Sequence, residues 1–136
     1  MKERIQRIGS QRDVVAASRA GLAVGRHAGL SLVEQYSVAA LLTELGRELV
    51  RRSESAICVI RDESDERGPR VLVELTGQGD GLPNAARQMR SAEGMLPRWL
   101  LRLPVRSVDL RRDGDGARLS VAMGALRPRT PAARLA

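Results

Sequence analysis

The spacing of apolar residues changes along the chain between the period of a helix and the period of a strand. Glu3 to Ile8 alternates weakly between polar and apolar residues, as a short edge strand does. Beyond this segment, apolar and small residues recur every three or four positions. That spacing predicts a helix whose N-terminus is capped by Ser10 and Asp13. The buried stripe of this helix consists of Val14, Ala17, Gly21 and Val24.

A second helix is the clearest element of the pattern. The helical pattern of the first helix weakens over Gly25 to Gly29. A capping-box signature then follows, formed by Ser31 and by Glu34 three residues later. The stripe that this second helix buries consists of Val38, Leu41, Leu42, Leu45 and Leu49. Because the stripe recurs over several turns, the sequence predicts a long helix packed on a core.

Short apolar runs separated by turn residues predict four further strands. Ala56 to Ile60 and Val71 to Leu75 are typical of neighbouring strands, and the charged turn Asp62 to Pro69 separates them. Val108 to Arg112 and Arg118 to Met123 are the other two. They flank the sequence Asp-Gly-Asp-Gly at positions 113–116, which strongly indicates a hairpin.

The segment between the two strand pairs combines glycines with a helical pattern. Thr76 to Asn84 is predicted to be a glycine-rich loop. Ala85 to Leu103 has a helical pattern that Gly94 and Pro97 interrupt. We therefore expect a loop or short lid that leads into a helix around Trp99.

This order of elements predicts an α+β two-layer sandwich, in which helices cover one face of a mixed β-sheet. The length of 136 residues suits a single domain, here residues 1–126. The tail 127–136 contains two prolines and three arginines, and we expect it to be loose and basic.

Composition narrows the class of protein without choosing a function. Apolar residues make up 43% and charged residues 29% of the chain, which is an ordinary globular balance. The core must be aliphatic, because Tyr36 and Trp99 are the only aromatic residues. The net charge of +7 favours an acidic partner, which leaves open a nucleic acid, an anionic membrane surface or an acidic protein.

Several classes of chemistry are excluded by the single cysteine and the single histidine. Cys58 has no second cysteine with which to form an internal disulfide, and the chain cannot supply the four ligands of a zinc site. His27 has no nucleophile elbow near it, as a hydrolase triad would require. No apolar run of signal-peptide or membrane-span length occurs in the sequence, so we expect a cytoplasmic protein without membrane contact.

One pattern points to a possible ligand site. Glu44 and Glu48 are four residues apart and therefore share a face of the second helix, and the glycines of Thr76 to Asn84 follow two strands later. Such carboxylates and glycines can hold a metal ion and a phosphate. The alternative is that Glu48 pairs with Arg51 or Arg52 on a solvated face, and that the glycines form only a turn.

Three blocks of the sequence resemble the switch-protein serine kinases and anti-sigma factors of the RsbT and RsbW type, which belong to the GHKL ATPase superfamily with the Bergerat fold. The blocks are Asp13 to Arg19, Gly29 to Gln35 and Val38 to Leu49. The resemblance covers roughly residues 3–124. It implies a domain that binds ATP and Mg²⁺ where its motifs are intact.

The first ATP motif of this family is only partly present. It reads E-L-x-x-N, and the resemblance implies that Glu44 is the catalytic general base. Glu48 stands where the family has the asparagine that binds magnesium, so Glu48 becomes the candidate metal ligand. A carboxylate can bind Mg²⁺, although it adds negative charge against a triphosphate.

The two glycine motifs of the family are also degenerate. In the D-x-G-x-G motif, Gly79 and Gly81 are in place, but Gly77 replaces the aspartate that accepts a hydrogen bond from adenine. In the phosphate-binding lid, Gly94 remains, while Pro97 has no backbone N–H to donate. We therefore expect a kinase-like fold with no cofactor and a site of degenerate residues at Glu48, Gly77, Gly79, Gly81 and Gly94.

The favoured hypothesis is a regulatory protein of a bacterial partner-switching pathway, which controls a sigma factor or a stress response by binding proteins. The resemblance implies a STAS-domain antagonist, a sigma factor or a phosphatase as the partner, and a possible homodimer. The alternative is an active Mg-ATP-dependent serine kinase that phosphorylates a STAS domain. Nucleic-acid binding is a weaker alternative, because the two aromatic residues are far apart in sequence and supply no stacking platform.

Overall fold

The structure is a computed structural model and describes residues 3–90 and 105–124. The sequence predicted nearly all the elements that these residues form, with shifts at the ends. In chain order they are β1 (Glu3–Ile8), α1 (Gln11–Ala28), α2 (Leu32–Arg51), β2 (Ala56–Asp62), β3 (Val71–Gln78), α3 (Gly81–Arg90), β4 (Val105–Asp113) and β5 (Gly116–Met123).

Local capping interactions fix the N-termini of the two long helices. The Ser10 hydroxyl accepts a hydrogen bond from the Asp13 N–H at 3.2 Å, and the Asp13 carboxylate accepts one from Gly9 at 2.9 Å. Ser31 and Glu34 form the predicted capping box. The two helices are separate because Gly29 ends α1 with a left-handed φ of 86°.

The five strands form one open sheet in the order β1-β2-β3-β5-β4. Every neighbouring pair in this sheet is antiparallel, so the prediction of a mixed sheet was wrong. Two helices connect β1 to β2 and return the chain in the opposite direction. β3 and β4 point the same way, but β5 lies between them, and the same-direction strands therefore never pair.

The helices cover one face of this sheet and enclose an aliphatic core, which makes the fold an α+β two-layer sandwich. α1 packs on α2 and, within the sheet, mainly on β1 and β2, whereas α3 packs on β4 and β5. Core side chains such as Val24, Leu41 and Ile60 are fully buried. On the opposite face of the sheet, Ile5 and Ile57 are 68% and 46% exposed.

The turn in the glycine-rich segment is much shorter than the loop that the sequence predicted. β3 continues to Gln78 because Gly77 pairs with Ala56 on one side and Ala117 on the other. α3 then begins at Gly81, so only Gly79 and Asp80 separate the strand from the helix. The predicted lid with Gly94, Pro97 and Trp99, and the tail 127–136, lie outside the described residues.

Candidate functional site

The turn between β3 and α3 is held by a side chain from a distant part of the chain. The Glu54 carboxylate accepts hydrogen bonds from the backbone N–H groups of Asp80 at 3.1 Å and of Gly81 at 2.9 Å. Asp80 directly precedes α3 and Gly81 is its first residue, so these N–H groups have no earlier carbonyl of the helix to bond. Glu54 is therefore the anion at the N-terminus of α3, a position that favours negative charge.

The chain after α2 is shaped so that Glu54 reaches this position. The N–H of Glu54 donates to the Leu49 carbonyl at 2.8 Å, which closes the C-terminus of the helix. Ser53 adopts a positive φ of 57°, an uncommon conformation for a residue with a side chain. This turn reverses the chain before β2 begins at Ala56.

Close approach of this segment explains the three glycines that the sequence analysis selected. A Cβ atom at Gly79 or Gly81 would lie 2.5 Å from a carboxylate oxygen of Glu54. A Cβ atom at Gly77 would lie 2.5 Å from the Ser55 carbonyl oxygen. These distances are far below van der Waals contact, so a side chain at any of the three positions requires a neighbour to move.

The two candidate carboxylates of α2 are engaged with arginines. Glu48 accepts a hydrogen bond from Arg52 Nε at 2.7 Å and forms a second ion pair with Arg51. The pKa of Glu48 lies below its ordinary value, first because of the hydrogen bond from Arg52, although burial opposes this effect. Glu44 is half-buried and lies 3.7 Å from the guanidinium of Arg47.

Arg52 connects Glu48 with the glycine-rich turn. Its Cδ atom lies 3.4 Å from the Cβ position of Gly81. The pKa of Arg52 is raised, first by the hydrogen bond to Glu48 and further by the negative charges of Glu54 and Asp80. The C-terminus of α2 and the N-terminus of α3 therefore share a cluster of opposite charges, and these charges neutralise one another.

The described residues do not assemble a metal centre. Across residues 3–90 and 105–124, no group of three or more His, Cys, Asp or Glu side chains is placed to hold a metal ion. Glu48, the candidate magnesium ligand, has its carboxylate oxygens directed to Arg51 and Arg52. Gly94, the remaining lid glycine, lies outside the described residues.

A cleft of about 460 Å³ lies at the end of β1, β2 and β3, next to the glycine-rich turn. Arg7, Ile57 and Thr76 line it and are neighbours in the strand register. Gly77 and Gly79 line the cleft, whereas Glu44, Glu48 and Gly81 do not. Its lining residues are Arg7, Ser53, Glu54, Ser55, Ala56, Ile57, Thr76, Gly77, Gln78 and Gly79.

Sequence reasoning missed Glu54, the residue that organises the site. Glu54 lies in the polar break between α2 and β2, where a charged residue is unremarkable. Its partners are 26 and 27 residues away in sequence. Nothing in the local pattern indicates that a carboxylate here meets the amides of Asp80 and Gly81.

No protein-family model matches the chain, and no curated protein matches it. Its function is therefore inferred from its residues and their geometry. Within residues 3–90 and 105–124, no helix combines the length and the apolar character needed to cross a bilayer.

Proposed function

We propose that this protein is an RsbT/RsbW-like regulatory module that works by binding other proteins and does not use ATP. In this proposal the chain has a Bergerat-type fold and acts in the cytoplasm as part of a bacterial partner-switching pathway. Its partner is a STAS-domain antagonist, a sigma factor or a phosphatase. The three blocks of sequence resemblance support the family, and the geometry of the glycine-rich turn supports the loss of ATP binding.

The observation that carries the proposal is the contact of Glu54 with the N-terminus of α3. A phosphate group at this helix N-terminus would need the same N–H groups, those of Asp80 and Gly81, that already donate to Glu54. It would also meet the negative charge of the Glu54 carboxylate at close range. Binding a nucleotide there requires Glu54 to leave and its two hydrogen bonds to break.

The position of the missing adenine acceptor supports the same conclusion. The resemblance places the family's aspartate at Gly77, where a Cβ atom would lie 2.5 Å from the Ser55 carbonyl oxygen. The restriction comes from backbone, which cannot rotate away as a side chain can. Gly77 therefore has neither an acceptor nor the room for one.

An active serine kinase is the second candidate, and the state of Glu44 favours it. The Glu44 side chain is 39% exposed, and its contact with Arg47 is a long 3.7 Å ion pair between solvent-exposed groups. Such pairs contribute little to stability. Glu44, to which the resemblance assigns the role of general base, is thus accessible to solvent.

Calorimetric titration of the full chain with Mg-ATP separates the two functions. We expect no binding heat at millimolar nucleotide. Tight binding that Glu44→Ala or Glu48→Ala abolishes would overturn the proposal in favour of the kinase. Phosphate transfer to a serine of a purified STAS domain would do the same.

A second titration tests the role of Glu54 directly. In Glu54→Ala the amides of Asp80 and Gly81 lose their acceptor, and we expect measurable affinity for inorganic phosphate or Mg-ATP at this helix N-terminus. Glu66→Ala is the matched control, because Glu66 is an exposed carboxylate in the turn between β2 and β3. Equal absence of binding in both variants would contradict the argument from Glu54.

The partner itself is tested with purified proteins of the same pathway. We expect a stable complex with one of the STAS-domain antagonist, the sigma factor and the phosphatase, formed without nucleotide. Failure to bind any of the three would reject the protein-binding function. Sedimentation of the chain alone shows whether the complex forms from a monomer or from the homodimer that the resemblance implies.

A further inference from the structure

The outer face of α1 carries a regular row of arginines. Arg12, Arg19 and Arg26 follow one another at seven-residue intervals, and all three are exposed. Seven residues are close to two turns of an α-helix, so these side chains share one face with a rise of about 10.5 Å between them. Val15, which is 52% exposed, and the half-buried Leu22 follow the same face. We call these five residues the α1 stripe.

The three arginines of the α1 stripe have no anionic partner within the described part of the chain. No Asp or Glu oxygen of residues 3–90 and 105–124 lies within 4.0 Å of Arg12, Arg19 or Arg26. Arginines elsewhere on the surface do form such pairs, including Arg51 with Glu48 and Arg61 with Glu3. Within the described part of the chain, the positive charges of these three arginines are therefore not compensated by an ion pair.

We propose that the α1 stripe binds an acidic amphipathic helix of a partner protein. A partner helix with Glu or Asp at every seventh position repeats its carboxylates at the same interval of about 10.5 Å. Apolar residues next to those carboxylates then pack against Val15 and Leu22. This proposal names the docking surface of the protein-binding function proposed above, and it rests on that function.

Apolar residues at the start of α2 extend this surface. Leu32, Val33 and Tyr36 are 67%, 77% and 59% exposed. α1 ends at Ala28, just after Arg26, and α2 begins at Leu32. Only a short turn therefore separates these three residues from the C-terminal end of α1. These side chains are therefore the next exposed apolar residues along the chain after the α1 stripe.

Three observations favour this occupant over a second copy of the chain, a nucleic acid or a membrane surface. A second copy of the chain has the same net charge of +7 and would bring arginine against arginine. A single nucleic-acid strand is disfavoured because the two aromatic residues of the chain, Tyr36 and Trp99, are far apart in sequence and supply no stacking platform. A helix that lies on a membrane inserts its apolar face, whereas the apolar face of α1 is buried against the sheet and α2.

Titration with two synthetic peptides tests the proposal on the full chain. The first is a stapled helical peptide of three heptads with Glu and Leu in seven-residue register. The second has the same composition with the Glu residues moved to different faces. We expect the registered peptide to bind about tenfold more tightly, as several exposed ion pairs acting together allow, and to shift the amide resonances of α1.

Arginine variants show whether the α1 stripe is responsible. The triple variant Arg12→Gln, Arg19→Gln and Arg26→Gln keeps residues of good helix propensity, and we expect it to bind both peptides equally weakly. The control changes three exposed arginines elsewhere to glutamine: Arg67, Arg111 and Arg112. It has the same net charge and should keep the tenfold preference. Circular dichroism of both variants confirms that they are folded.

Three results would overturn the proposal: equal affinity for the two peptides, equal loss in the control variant, or resonance shifts outside α1 and the start of α2. A further experiment measures binding of the full chain to vesicles of phosphatidylserine and phosphatidylcholine. If the same three arginines control vesicle binding and the peptides show no preference, the face is a membrane surface instead. The Mg-ATP titration is independent of these outcomes, so failure of the stripe leaves the proposed function standing.

Discussion

Glu54 holds the glycine-rich turn through two hydrogen bonds from backbone amides. Its carboxylate accepts from two successive backbone amides, those of Asp80 and Gly81. A Cβ atom at Gly79 or Gly81 would lie in the space that this carboxylate occupies, so a side chain at either position would displace Glu54 from the turn. A set of glycines typical of a phosphate-binding loop is thus accounted for by contacts within the chain.

Replacing Gly77 by alanine tests how tightly this region is packed. The new Cβ atom would lie 2.5 Å from the Ser55 carbonyl oxygen, so the paired strands must shift. We expect Gly77→Ala to lower the free energy of unfolding by about 1 to 3 kcal/mol, as overpacking commonly does. Urea denaturation monitored by circular dichroism measures the change.

Gly9→Ala is the control for this substitution. A Cβ atom at Gly9 meets only the end of the Arg7 side chain, at 3.3 Å, and this flexible group can move aside. The change in unfolding free energy should stay within about 0.5 kcal/mol. If Gly77→Ala is as mild as this control, the close packing around Ser55 is not rigid.

Burial of the single cysteine gives the stability of the protein a definite dependence on pH. Complete burial raises the pKa of the Cys58 thiol from 9.0 to about 12. The folded protein then keeps its proton between these values, while the unfolded chain releases it. We expect stability to fall as pH rises above about 9, by up to about 1.4 kcal/mol per pH unit.

Two measurements check the behaviour of Cys58. Thiol labelling at pH 8 should be slow in the folded protein and fast in denaturant. The stability of Cys58→Ala should depend less on pH between 9 and 11 than that of the wild type, whatever the cost of the substitution itself. Rapid labelling of the folded protein would show that the thiol is accessible.

At the scale of elements, α1 and α2 pack closely because small residues lie between them. Gly21 and Gly46 each face a large side chain of the other helix, Leu42 and Val14 respectively. Ser18 and Thr43 add a hydrogen bond of 2.6 Å between the helices. The packing of α1 on α2 thus combines apolar contacts with a polar contact that fixes the register of the two helices.

A double-mutant cycle between Gly46 and Val14 tests this packing. A Cβ atom at Gly46 would lie 2.8 Å from Val14, whose branched side chain has few rotamers with which to avoid it. We expect Gly46→Ala to destabilise the protein by about 1 kcal/mol, despite the better helix propensity of alanine. In the Val14→Ala background, Gly46→Ala should become neutral or stabilising, because the clash is absent. Equal effects in both backgrounds would contradict the contact.

For the molecule as a whole, one aliphatic core connects the helical layer to every strand of the sheet. Ile8 from β1, Leu42 from α2 and Leu119 from β5 belong to the same buried cluster. Neither layer buries its apolar face without the other. We therefore expect that no part of the fold is stable when the rest is unfolded.

This arrangement predicts a single cooperative unfolding transition. Helical circular dichroism at 222 nm and the amide resonances of β2 and β3 should be lost at the same urea concentration. Two separated midpoints would show that the helical hairpin and the sheet unfold independently. Salt should change the midpoint only modestly, since the ion pairs within the described residues are largely exposed.

The sequence by itself determined the elements and the caps of this protein, because those depend on residues a few positions apart. Ser10, Ser31 and Gly29 act within one helical turn of themselves, and the apolar stripes of α1 and α2 follow the helical period. The two-layer α+β class follows from the order of these elements. The order of the elements does not determine the strand pairing, because it leaves open which strand lies on the other side of β5 from β4.

Only the tertiary structure decided what the glycines and the carboxylates do. The sequence selected Gly77, Gly79, Gly81, Glu44 and Glu48 as one site. The fold instead brings Glu54 to the turn and turns Glu48 towards Arg51 and Arg52. A side chain's partners across 26 residues or more are fixed by how the layers pack, and local sequence carries no record of that packing.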